Sequence, residues 1–318
     1  MGFMPSMRVL RAAALPIWLA LLAPACGSLP KGEPGPLLVR CKELSSQKEY
    51  KKAERHFRAV RQRHPQADEA EEATFYLAES RRQLKRSQTA FETFRTFAET
   101  YPHSRFGVGA AQGEYRLGVD HFEGRMPGFL FLPADRSYGV RVLEHMQVHY
   151  RNHSLADDAL GQVAQWHMYK EAYGEGADTL RRLLAEYPRS EHVLWARFHL
   201  ARARWLQQQG ALYDERLLDQ ARRAFEDYIG TARQLGQAEA QAEQIAEAQE
   251  MIRRIDDRRA EKEYLIGRFY ERTESPRSAI YYYEHCIKSF PDSPFAAESR
   301  KRLQRLRPGA AAPEEGTG

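Results

Sequence analysis

The chain has 318 residues, 29% of them charged, and a formal net charge of +5. So small an excess with no long basic run gives no nucleic-acid-binding footprint. Three cysteines, at positions 26, 41 and 286, are too few and too far apart for a disulfide framework.

Residues 1–25 read as a signal peptide. Arg8 and Arg11 are its only charges, and the apolar run Ala12–Ala25 is too short to span a bilayer comfortably. Cys26, followed by Gly27 and Ser28, is placed as mature bacterial lipoproteins often begin, and is the predicted lipid-attachment (palmitate) site. Ala23 holds the position where such sites usually carry leucine, and Ala23-Pro24-Ala25 also fits ordinary secretory cleavage, which would leave a soluble periplasmic chain. Gly2 fits a myristoylation pattern, but a removed leader makes that acylation pointless. Removing residues 1–25 takes two of 48 basic residues and none of 43 acidic ones, so the mature chain carries +3. Residues 26–37, rich in Pro and Gly, read as a lipidated flexible linker.

A repeat begins at residue 38. Four prolines, Pro65, Pro102, Pro188 and Pro291, each close a helical pattern. Twelve residues before them stand Ala53, Ala90, Gly176 and Ala279, and eight before stand Phe57, Phe94, Leu180 and Tyr283. Twelve residues before each small residue stands another small one: Cys41, Ala78, Ala164 and Gly267. Two copies lack the proline: Gly118, Gly139, Leu143 and Arg151, then Ala201, Ala221, Phe225 and Arg233. Small residues let two antiparallel helices approach, and the large residue four positions on packs on the same face. The pattern is that of the tetratricopeptide repeat and predicts an all-α solenoid of about six helix pairs. The predicted blocks are 38–214, 215–307 and a disordered tail, 308–318.

Two repeats carry insertions, which are candidate binding loops. The one in the third repeat holds Met126, Phe129, Leu130, Phe131 and Leu132, an apolar knot that must be buried against its own solenoid or a partner; Phe129 and Phe131 are the candidate partner contacts. After the fifth-repeat insertion, the proline-free stretch Leu235–Arg272 predicts one long helix, or two joined almost end to end. Residues 251–307 hold fourteen Lys or Arg against nine Asp or Glu, so this end carries +5.

The polar residues make a poor enzyme. His145, His149 and His153 share helical spacing, but Arg151 stands where the repeat normally breaks, which leaves a pair and no metal site. Cys41 and Cys286 fill packing slots. There is no HExxH, GxSxG, phosphate loop or dinucleotide fingerprint, so no catalytic residue and no cofactor is assigned.

The carboxyl-terminal wording resembles the outer-membrane assembly lipoprotein family BamD. The residues are Lys262 and Glu263 before Ile266 and Gly267, the aromatic pair Phe269 and Tyr270, and Ala279 and Ile280 with Tyr283; then come Phe290, Pro291, Asp292, Ser293, Pro294, Ala296 and Ala297. Ser154, Ala156, Asp157, Asp158 and Ala159 echo the family more weakly. The resemblance implies a non-enzymatic scaffold at the periplasmic face of the outer membrane, within the machinery that inserts β-barrel proteins. It implies that unfolded outer-membrane protein segments bind a concave face from about Glu49 to Tyr115. A BamA-like barrel insertase, with the other assembly-complex subunits, would take the basic end; Arg258, Arg268, Arg272 and Arg277 are the candidate contacts. Six repeats stand where the family usually has five, which puts the docking register in question. A periplasmic tetratricopeptide-repeat adaptor for cell-wall or division proteins is the alternative, because function cannot be read from a repeat alone.

Overall fold

The computed structural model describes residues 29–128, 135–207 and 215–307. The described residues form thirteen helices and no strand. Six antiparallel pairs follow one another: α1 (Pro34–Ser46) with α2 (Tyr50–Arg63), α3 (Glu69–Gln83) with α4 (Ser87–Thr100), α5 (Gly107–Phe122) with α6 (Tyr138–His149), α7 (Ala156–Tyr169) with α8 (Tyr173–Glu186), α9 (Val193–Leu206) with α10 (Glu215–Gln234), and α11 (Ala242–Arg272) with α12 (Pro276–Ser289). A last helix, α13 (Pro294–Leu306), covers the end of the stack and packs on both α12 and α11.

The spaced slots build this stack. Cys41, Ala53, Phe57, Ala78, Ala90, Phe94, Ala164, Leu180, Ala201, Ala221, Phe225, Ala279 and Tyr283 are all fully buried. Within the third pair the approach is closest: a Cβ on Gly118 would lie 2.6 Å from Leu143, and one on Gly139 would lie 2.7 Å from the Gly118 carbonyl oxygen. A flexible Leu143 can yield, whereas a helix carbonyl cannot. Gly139→Ala should therefore lose stability despite a helix-propensity gain of about 1 kcal/mol, because overpacking against backbone costs about 1–3 kcal/mol. Urea denaturation would read this as a lower midpoint, and an unchanged or higher midpoint would refute the contact.

Both ends of each pair have a local cause. The first helices end in a residue with positive φ, at Lys48, Lys85, Gly124, Glu171 and Glu274. At each, the next backbone N–H donates five residues back, as from Glu49 to Leu44 and from Arg86 to Arg81, which satisfies a terminal carbonyl. The second helices end in a residue outside the helical region immediately before proline, at His64, Tyr101, Tyr187 and Phe290. Tyr150 takes a similar conformation before Arg151, so neighbouring packing produces the break without a proline.

Two boundaries differ from those expected. The first helix starts at Pro34, so residues 34–37 are helix and not linker: proline is favoured in a first turn, whose N–H groups have no helical partner in any case. Residues 29–33 are also held, since Arg63 donates to the Leu29 carbonyl at 2.9 Å and His64 Nε2 lies 3.0 Å from the Gly32 carbonyl. The long helix exists but starts at Ala242, because Gly236, at φ +67, closes α10 with a Gln237 N–H to Ala232 bond. The leader with Cys26, the knot residues Phe129, Leu130, Phe131 and Leu132, and the tail 308–318 lie outside the described residues. Met126, at the start of that insertion, is buried with Ala90, Phe91, Leu117 and Val142 of its own solenoid.

Candidate functional site

The first helices of successive pairs line one face of the stack. Over α1, α3 and α5 this face forms a hollow of about 390 Å³ lined by Tyr50, Phe75, Tyr76, Glu79, Gln83 and Arg116, among others. Its aromatic floor is continuous: Phe75 lies 4.9 Å from Tyr76 and 5.3 Å from Phe106, ring centre to ring centre, and Tyr76 stacks on Phe57. Of these residues, Tyr50, Phe57, Phe75, Tyr76, Glu79, Gln83 and Phe106 fall in the expected range from Glu49 to Tyr115, and Arg116 lies one residue beyond it. Further along, Gln162, Gln165 and Trp166 of α7 and Trp195 of α9 continue it, with Trp166 stacked on Phe122 at 5.4 Å. Aromatic faces alternate here with carboxamides, a lining able to hold side chains and hydrogen-bond an extended backbone.

The sixth repeat presents a different chemistry. Leu265, Ile266, Phe269 and Tyr270 of α11, with Arg258, Glu261 and Lys262, line a hollow of about 430 Å³. Leu265 is 55% exposed, Phe269 51% and, on α12, Tyr281 62%. Counted from the small slot of each repeat, Leu265 and Phe269 hold the places of Gln162 and Trp166 in the fourth and of Arg116 and Asp120 in the third. The sequence carried this signal, two apolar residues in slots that hold polar residues in the third repeat, but only the exposed surface identifies them as unpacked.

The four expected arginine contacts do not form one patch. Arg258 lies over the Trp205 ring at 4.4 Å, bridging α9 and α11. Ten residues on, about 15 Å along the helix, Arg268 donates to the Tyr264 hydroxyl at 3.3 Å. Arg272 and Arg277 are exposed on either side of the α11–α12 turn. Among the described residues no carboxylate pairs with Arg268, Arg272 or Arg277, whereas much of the remaining basic excess is internally neutralised, as in Arg302 with Glu271 and Arg307 with Glu284. Phe129 and Phe131 lie outside the described residues.

The histidines have structural roles. His145 and His149 stack at 4.2 Å, while His153 lies past the break and its Nδ1 accepts the Leu155 N–H at 3.0 Å. His145 Nδ1 is 2.9 Å from Oε2 of the fully buried Glu114. Burial raises the Glu114 carboxyl above its ordinary range, and the His145 bond and charge partly lower it. Among the described residues no group of three or more His, Cys, Asp or Glu could hold a metal ion. Cys41 and Cys286 are buried, and burial pushes the Cys41 thiol up to about 12. No helix of the described residues is long and apolar enough to cross a membrane.

Repeated helix pairs with buried small slots and an open first-helix face define a tetratricopeptide-repeat protein, and the tetratricopeptide-repeat model matches residues 72–104. The family model YfiO, described as outer membrane lipoprotein, matches residues 134–305, more than half of the chain, and the chain belongs to that family. No curated protein matches it. Similar solved structures include the MamA protein, at 13% identity and TM-score 0.37, covering 66% of this chain and 94% of that one. A tetratricopeptide repeat protein from Parabacteroides merdae has 12% identity and TM-score 0.36 and covers 86% and 98%. PilW, a type IV pilus biogenesis factor, has 17% identity and TM-score 0.29 and covers 86% and 100%.

Proposed function

We propose that this chain is a non-enzymatic scaffold of the outer-membrane β-barrel assembly machinery, held at the periplasmic face of the outer membrane by lipid on Cys26. The observation that carries the reading is the YfiO match over residues 134–305, which includes the segment that resembles BamD. The aromatic, amide-rich face of the first three repeats receives extended segments of unfolded outer-membrane proteins. The sixth repeat docks a BamA-like insertase, whose acidic residues meet Arg268, Arg272 and Arg277 beside the exposed Leu265 and Phe269. Exposed aromatic and arginine side chains are the residue types that dominate binding energy at such interfaces.

The test is affinity purification from outer membranes of the chain and of Arg268→Glu/Arg272→Glu/Arg277→Glu. The parent chain should recover a β-barrel insertase, and the variant, folded by circular dichroism, should recover roughly ten-fold less, about 1.4 kcal/mol. A parent preparation without any such insertase would sink the proposal.

A further inference from the structure

The second helix of the first repeat is more basic than the whole mature chain. From Lys48 to His64 there are seven lysines and arginines against two glutamates. Only one of the two glutamates offsets a cation of the exposed face. Glu54 is buried between Arg81 and Arg86 of the next repeat, and Glu49 pairs with Lys52 at 2.6 Å. Lys48 and Lys51 are exposed and, like the half-buried Arg58, have no carboxylate partner among the described residues. Lys51, Arg55, Arg58 and Gln62 follow helical spacing along one ridge, with Arg55 engaged within the chain. At the start of the ridge, Lys48, Lys51 and Lys52 line an open hollow of about 360 Å³ with Glu49, Tyr50 and Leu84.

A second observation places this helix. Arg63 and His64, at the other end of α2, hold the carbonyls of Leu29 and Gly32. Leu29 is three residues from Cys26, and three residues of even fully extended chain reach only about 11 Å. An acyl group on Cys26 would therefore hold the end of α2 next to the bilayer, a step that rests on the lipid attachment proposed above.

We infer that α2 lies on the anionic phospholipid surface of the membrane that anchors the chain, with headgroup phosphates against Lys48, Lys51, Lys52 and Arg58. Lipid and a basic face are complementary attachments: the acyl group supplies burial, and the cations gain from the negative surface within a Debye length. The lipid restrains distance; the helix sets which side of the solenoid faces the membrane.

The experiment uses the full mature chain carrying Cys26→Ala, so its outcome is independent of acylation. The chain should co-sediment with vesicles of phosphatidylethanolamine and phosphatidylglycerol, lose that binding in high salt, and bind little to phosphatidylethanolamine–phosphatidylcholine vesicles. Lys48→Gln/Lys51→Gln/Lys52→Gln should weaken binding on the order of 100-fold. Arg268→Gln/Arg272→Gln/Arg277→Gln, with the same change in net charge, should leave most of it. Equal binding to both vesicle types, equal loss in both triple variants, or displacement by soluble glycerol phosphate at the concentration of the lipid headgroups would overturn the inference. Circular dichroism melts of the variants exclude unfolding as the cause.

Discussion

Replacing His145 with alanine is expected to lower stability by about 3 kcal/mol near neutral pH and by less in acid. Glu114 has no exposed surface, and its Oε2 has His145 Nδ1 at 2.9 Å. Its other oxygen, the second ring nitrogen of His145 and the Tyr150 hydroxyl are buried without hydrogen-bond partners among the described residues, so His145 supplies the one hydrogen bond that Glu114 receives there. Burial already holds the Glu114 carboxyl high, and His145 supplies both influences that lower it. Without the histidine the folded protein keeps a proton on Glu114 that the unfolded chain releases near 4.5. A folded value above the unfolded one contributes stability at pH below the unfolded value and loses it as pH rises through the folded value. Urea titrations of both proteins at about pH 5.5 and about pH 8 should show the larger difference at the higher pH. An equal loss at both would mean that Glu114 is not the group His145 holds. The effect matters beyond one pair, because α5 and α6 join the first two repeats to the remainder of the stack.

The second large effect concerns location. Cys26→Ala should move the protein from the membrane pellet to the soluble periplasmic fraction after a high-salt wash. With the cysteine acylated, each buried methylene contributes about 0.8 kcal/mol, so more than one chain makes attachment stable. No described helix can cross the bilayer in its place. The salt wash removes the electrostatic contact of α2, which is screened, and leaves the acyl contribution, which is not. A Cys26→Ala chain that stays in the washed pellet would show that protein contacts provide the anchor. Vesicle binding by the same unacylated chain is measured separately, so the two attachments can fail independently.

The repeat was legible because it depends on local spacing. Ala78, Ala90 and Phe94 sit where they do since two helices cross at fixed intervals of chain, and every small slot read in the sequence is buried or closely packed. The break after Tyr150 was legible for the same reason, although Arg151 replaces proline there. Less regular features misled. Pro34 and Pro36 resemble linker residues, yet a first helical turn accepts proline, and α1 uses it. Gly236 went unweighted inside a run of helix formers, but one positive φ was enough to end α10.

The candidate surfaces divide in the same way. Arg268, Arg272 and Arg277, expected on charge, have no carboxylate partners among the described residues; Arg258, expected on the same ground, lies against Trp205, on a different part of α11. The spacing of His145 and His149 left them a pair without a metal site, and only the fold supplies the partner of His145, a glutamate 31 residues earlier on the facing helix. The sequence by itself determined the number of helix pairs, their order and the residues at which they meet, because those follow from periodicity along one chain. Only the tertiary structure decided which of the described charges lack partners, which apolar residues stay exposed and that Leu29 and Gly32 are held against α2. Each of these depends on what a neighbouring helix, distant in sequence, brings within a few ångströms.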